Sequence, residues 1–258
     1  MVRKKKRKFK WWVMPMLLLL LLAACLLVMY WWQVQQQNKA RFTQYDGYNI
    51  PLPVGYPIHG IDVSYYQQYI YWPSVKQMKD EDISLAFVFI KATEGTSNTD
   101  KQFNRNWQQA KDQHITRGAY HFFIATKDGK QQAKQFIQHV KLSHGDLPPV
   151  IDVEQLYGVS ATLMRQRLKT CLAEVEKAYH VKPIIYSGAD FYNNYLGKAF
   201  NQYPLWVAHY FEYNQPRVNR VWQFWQHSSN GKVSGIPAPV DFNVFNGDSI
   251  AFKKLLVP

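Results

Sequence analysis

The segment Leu85-Ala86-Phe87-Val88-Phe89-Ile90 limits the possible folds more than any other in the chain. Six consecutive apolar residues, rich in aromatic and β-branched types, read as a strand buried on both faces, as in a parallel sheet covered by helices. The surroundings repeat that theme. A strand over residues 59–64 precedes a helix with Trp72, Val75 and Met78 at helical spacing, and Phe103, Trp107 and Ala110 form one stripe of the next helix. A strand over 118–124, a helix near 130–141 and a short apolar strand ending in Asp152-Val153-Glu154 follow. Ser160 can cap a long helix to about Tyr179, with Leu168, Leu172 and Val175 inward. Strands at 182–187, 205–210, 221–227 and near 240–244 come last, with one short helix over 189–196 between them. This alternation predicts an α/β fold, an irregular (β/α) TIM-like barrel with shortened late helices.

The barrel accounts for residues 58–258 only. Before it, seven of the 31 basic residues fall in the first ten positions, which accounts for much of the formal charge of +13. An uncharged run from Val13 to Tyr30 follows, edged by Trp11, Trp12, Trp31 and Trp32. That length and those interfacial tryptophans predict a transmembrane helix over 13–32. The positive-inside rule makes residues 1–12 a cytoplasmic tail and puts the barrel on the outer side of a bacterial inner membrane, with the lipid bilayer as a partner. A cleaved signal peptide, or lipoprotein processing at Leu22-Ala23-Ala24-Cys25, stays open as an alternative, and both also export the domain. Residues 33–57, polar and then rich in Pro, Gly and Tyr, are expected to be a linker. Cys25 and Cys171 are the two cysteines; one falls in the apolar run and one in a helix, so no disulfide is expected.

Acidic residues mark the chemistry. Asp152 and Glu154, two apart on a strand, project to one face. Side-by-side burial of like charges raises the proton affinity of at least one. A carboxylic acid held protonated beside an ionised neighbour is what glycosidic cleavage needs. Asp62, Glu94 and Asp241 also sit on or just past predicted strands, and in a barrel such ends converge on one face. The chain has no His-Glu-x-x-His and no Gly-rich phosphate loop. No metal, cofactor or nucleic-acid partner is expected. Trp222 and Trp225 read as core, and His121 as a hydrogen-bonded structural residue.

With these residues in place the chain resembles the family 25 glycoside hydrolases, the Chalaropsis-type lysozymes. The resemblance runs through Gly60-Ile61-Asp62-Val63-Ser64, Lys91-Ala92-Thr93-Glu94-Gly95, Gly118-Ala119-Tyr120-His121-Phe122, Asp152-Val153-Glu154, Ile185-Tyr186-Ser187, Leu205-Trp206-Val207-Ala208 and Val240-Asp241-Phe242-Asn243. It implies hydrolysis of the β-1,4 bond between N-acetylmuramic acid and N-acetylglucosamine, with peptidoglycan glycan strands as the partner. Glu154 matches the general acid, Asp152 would orient the 2-acetamido group, and Asp62 and Asp241 match flanking carboxylates. Glu94, Tyr120, Tyr186 and Trp206 match substrate-binding positions. Substrate-assisted retention, direct carboxylate attack and inversion all remain open. A wall-binding module that has lost turnover is the non-enzymatic alternative.

Overall fold

Along the strand that contains Phe87 and Phe89, those two rings point one way and Val88 and Ile90 the other, and all four are fully buried. Successive strand side chains alternate faces, so two separate cores must meet at this strand. The computed structural model, which describes residues 13–39, 42–212 and 214–258, shows both. One core fills the inside of a barrel, with Phe87, Phe89, Val150, Ile184, Trp206, Phe224 and Phe245. The other lies on the opposite face of the strands, and helix residues such as Phe103, Phe136, Leu168 and Leu172 belong to it.

The barrel has eight strands: β1 (His59–Val63), β2 (Ile83–Glu94), β3 (Thr116–Phe122), β4 (Val150–Asp152), β5 (Ile184–Gly188), β6 (Leu205–Ala208), β7 (Phe224–Gly231) and β8 (Val240–Phe245). Neighbours from β1 round to β7 pair in parallel. Closure comes from β8, which runs antiparallel to both β7 and β1. Here the structure departs from a regular (β/α) barrel, and the cause is chain length. Only residues 232–239 join β7 to β8, too few for the crossover of a dozen or more residues that parallel pairing needs.

The early strands are separated by helices at the expected places, including Trp72–Gln77, Phe103–Asp112, Gly129–His139 and Ala161–Tyr179. Ser160 caps the last of these by accepting from the Leu163 N–H at 3.2 Å. After β5 the helical segment breaks into Ala189–Phe191, a π turn and a 3-10 turn ending at Phe200, so the late helices are indeed short. Trp222 and Trp225 are both buried in the outer core. Arg117 forms a buried ion pair with Asp146 at 2.8 Å and lies over the Trp107 ring at 3.9 Å, tying β3 to the turn before β4.

The expected linker needs correction. From Phe42 on it is folded: Phe42–Tyr45 and Ile50–Pro53 form an antiparallel hairpin. Tyr48, Ile50 and Leu52 from it are buried in the outer core, and Tyr48 meets Phe242 edge-on at 5.2 Å. Alternating apolar residues, which a flexible tether has no use for, explain the difference.

Ahead of the hairpin lies helix α1 (Val13–Lys39). Its segment Met14–Gln33 has a mean hydropathy of 2.4 and is long and apolar enough to cross a membrane. None of that segment is buried against the rest of the chain. The predicted basic tail, with Trp11 and Trp12, lies outside the described residues, as do residues 40 and 41. Cys25 is exposed on α1 and Cys171 is buried in the helix after β4.

Candidate active site

Strand periodicity decides which groups reach the barrel mouth. Gly60 abuts Phe87 in the interior, so Asp62, two residues on, faces the same interior one layer higher. The same step leads from Gly118 to Tyr120, from Val150 to Asp152, from Ile184 to Tyr186 and from Phe224 to Gln226. Glu154 lies one step beyond Asp152. Although β4 ends at Asp152, Val153 is still held, its N–H donating to the Tyr186 carbonyl at 3.0 Å and its carbonyl accepting from Ser187 Oγ at 2.8 Å.

Asp241 arrives by another route. Sequence spacing suggested that all the acidic groups come from convergent carboxyl ends, but Asp241 sits near the amino end of the reversed strand β8, in register with Asp62. Reversal of the strand brings its start, not its finish, to the mouth. Asp62, Asp152, Glu154, Asp241, Tyr120, Tyr186 and Trp206 thus line one cavity of about 430 Å³. Glu94 is not among the lining residues. It accepts from Lys91 Nζ at 2.6 Å, and it is Lys91 that lines the cavity.

Asp62 is caged. Its Oδ2 accepts from Gln226 Nε2 at 2.7 Å and from Asn243 Nδ2 at 2.8 Å. Asn243 in turn accepts from Trp206 Nε1 at 2.7 Å, and Gln226 Oε1 accepts from the Tyr186 hydroxyl at 2.8 Å and from the Tyr210 hydroxyl. Trp206 is stacked on Phe89 at 4.3 Å and meets Tyr186 at 4.4 Å, so the aromatic wall is fixed from behind. Asp152 differs: its Oδ1 is buried and has no hydrogen-bond partner among the described residues. A buried oxygen left so is costly in the free protein and ready for a donor from a ligand.

Burial pushes every one of these acids towards the protonated form, and repulsion from a neighbouring carboxylate adds to it at Asp62, Asp152 and Asp241. Burial raises Asp152 well above the carboxylate range, and the neighbouring Glu154 adds to it. Glu154 is raised by burial too, partly offset by Tyr186, Asp152 and Lys91. Asp62 is raised well above its ordinary value by burial and then by Asp241. Burial, with Glu154 second, brings Asp241 to about 6. A site of this kind can hold protons at neutral pH and deliver one to a bound substrate.

Gln226, Asn243, Lys91 and Tyr210 are site residues that the sequence did not single out. Asn243 had a usable signal, being two residues beyond Asp241 on one strand face. His121 behaves as a structural residue: its Nδ1 lies 2.7 Å from Thr93 Oγ1 and its Nε2 3.3 Å from Gln132 Oε1. Burial lowers its pKa to about 4 and keeps it neutral.

Comparison with known proteins agrees with this geometry. The chain is 50% identical over 198 residues to the uncharacterized protein YegX of Escherichia coli K12, covering 77% of this chain and 73% of YegX. It is 35% identical over 209 residues to lysozyme M1 of Streptomyces globisporus, covering 74% of this chain and 69% of the lysozyme. The solved structure of a family 25 glycosyl hydrolase from Bacillus anthracis superposes with a TM-score of 0.72 at 34% identity, over 79% of this chain and 95% of that one. The profile of the glycosyl hydrolases family 25 matches residues 61–236, and the chain belongs to that family.

Proposed function

We propose that the protein is a muramidase that hydrolyses the β-1,4 bond between N-acetylmuramic acid and N-acetylglucosamine in peptidoglycan. The reading rests on one observation above others: four carboxyl groups, from the start, middle and end of the barrel sequence, line a single aromatic-walled mouth whose burial raises their affinity for protons. Relatives that include a lysozyme support the substrate class.

In this reading the resting proton sits on Asp152, the more deeply buried of the pair. The substrate's 2-acetamido N–H donates to the unpartnered Asp152 oxygen, which favours the ionised form of Asp152 and passes the proton to Glu154. Glu154 then protonates the glycosidic oxygen as the acetamido oxygen attacks the anomeric carbon, and the C–O bond to the leaving sugar breaks. Glu154, now a carboxylate, takes a proton from water, which opens the cyclic intermediate with net retention. Asp62 and Asp241 flank the reacting ring as polar contacts, and Tyr120, Tyr186 and Trp206 receive its C–H faces. Glu94 acts through Lys91.

Helix α1 is assigned as an uncleaved membrane anchor with the barrel on the wall side of the cytoplasmic membrane; its length and hydropathy support this.

Incubation with purified peptidoglycan tests the activity. N-acetylmuramic acid at the new reducing ends is the expected result; N-acetylglucosamine there, or no release, contradicts it. Glu154→Gln is expected to lower kcat by roughly 10²–10⁴-fold with glycan binding retained in a pull-down, the range that loss of a general acid gives.

A further inference from the structure

The catalytic cleft shares a wall with a second concavity. Tyr210 and Ser229 line both the cleft and a groove of about 370 Å³ whose other walls include Phe42, Ile50 and Pro51 of the hairpin and Phe211. The hairpin precedes residues 61–236, so part of this groove is built from residues outside the match to the family profile. Phe211 is 89% exposed and sits at φ +56, a left-handed conformation that a bulky residue rarely adopts. The chain therefore holds a large apolar ring out in water beside an apolar groove, where a ligand seated in the groove would cover it.

The groove's charge is silent. His227, which lines it, is buried and kept neutral by that burial, with its pKa lowered to about 3. Glu212, its one carboxylate, is already paired with Arg217 at 3.0 Å. The groove has an apolar wall of Phe42, Ile50, Pro51 and Phe211, where the hydroxyls of a further sugar ring would lose hydrogen bonds, and a polar wall of Ser228, Ser229 and Asn230. A peptide that carries methyl side groups suits both walls, its methyls meeting the hairpin side and its amides the serine and asparagine side.

We infer that this groove binds the lactyl-peptide branch carried by the muramyl residue, its methyl groups lying against the hairpin and Phe211 while the sugar ring occupies the adjoining cleft. The inference rests on the muramidase reading of that cleft.

Two substrates test it: glycan strands bearing their peptides, and the same strands stripped of peptide by an amidase. The detergent-solubilised full chain is expected to favour peptide-bearing strands in kcat/KM by roughly fivefold to tenfold, the factor that burial of one or two methyl groups gives. Phe211→Asn, which suits the left-handed backbone, and Pro51→Asp change exposed positions and leave the buried core intact. Both should bring the preference close to one, with turnover of stripped strands unchanged. Equal losses on both substrates, no change in preference, or a wild type without preference would each overturn the inference. No release from either substrate by the wild type would overturn the muramidase reading and this inference with it.

Discussion

Asp62 and Asp152 occupy equivalent layers of the barrel interior, yet their surroundings differ. Two amide side chains satisfy one oxygen of Asp62, whereas an oxygen of Asp152 has none. The first is fixed and the second is held open for a substrate donor. Asp241 offers the cleanest test of the electrostatics. Its pKa rises from 3.8 to about 6, so between those values the folded chain keeps a proton that the unfolded chain has released. Stability therefore falls as pH rises through that window and stays lower above it. Asp241→Asn should raise stability by up to about 3 kcal/mol near pH 8, and the gain should shrink towards zero at about pH 4 and below. Urea midpoints at the two pH values measure it; an equal gain at both would contradict the assignment. The acidic members of this site were legible because acids at the ends of apolar strands stand out, and Tyr120, Tyr186 and Trp206 were legible through the family resemblance. Gln226 was not, since a neutral amide carries no pattern of its own and gains its role only from the partner it faces, and Asn243 could be reached only through its spacing from Asp241.

Among the elements, β2 was the most legible, being apolar at every position from Leu85 to Ile90. The direction of β8 was the least. Its sequence reads like any other strand, and only the short connection over residues 232–239 carries the information that it must reverse. The hairpin was missed for a related reason: Gly47, Pro51 and Pro53 interrupt its sequence, while the alternation of Tyr48, Ile50 and Leu52 is only three side chains long. Packing inside the barrel is tight enough to test at β1. A Cβ at Gly60 would lie 2.5 Å from the ring of Phe87, which is fully buried and cannot swing away. Gly60→Ala is expected to cost about 1–3 kcal/mol, the usual range for an overpacked core, read from the denaturation midpoint. An unchanged midpoint would mean that the interior yields more readily than its ring contacts imply.

At the level of the whole molecule, the folded domain begins earlier than composition suggested. A chain beginning at residue 42 and one beginning at residue 58 differ by four buried residues, Tyr48, Ile50, Leu52 and Pro53, of which Ile50 and Leu52 are each worth roughly 1.5–3 kcal/mol. The shorter chain should unfold at a clearly lower urea concentration, and equal midpoints would return the hairpin to the role of tether. The anchor assignment predicts that the full-length protein stays with membranes after alkaline extraction, while a chain lacking residues 1–33 is recovered without detergent. Release of the full-length protein by alkaline washing would contradict it.

The last barrel strand also governs when the enzyme can work. Asn243 and Asp62 are bonded across 181 positions of sequence, and Asp241 joins the mouth only when β8 docks beside β1. A nascent polypeptide, or one clipped before residue 240, has an incomplete cage around Asp62 and no closed cylinder. Premature termination or proteolysis near the carboxyl end therefore silences this hydrolase instead of unleashing it, a safeguard for any cell that must export such an activity past its own envelope.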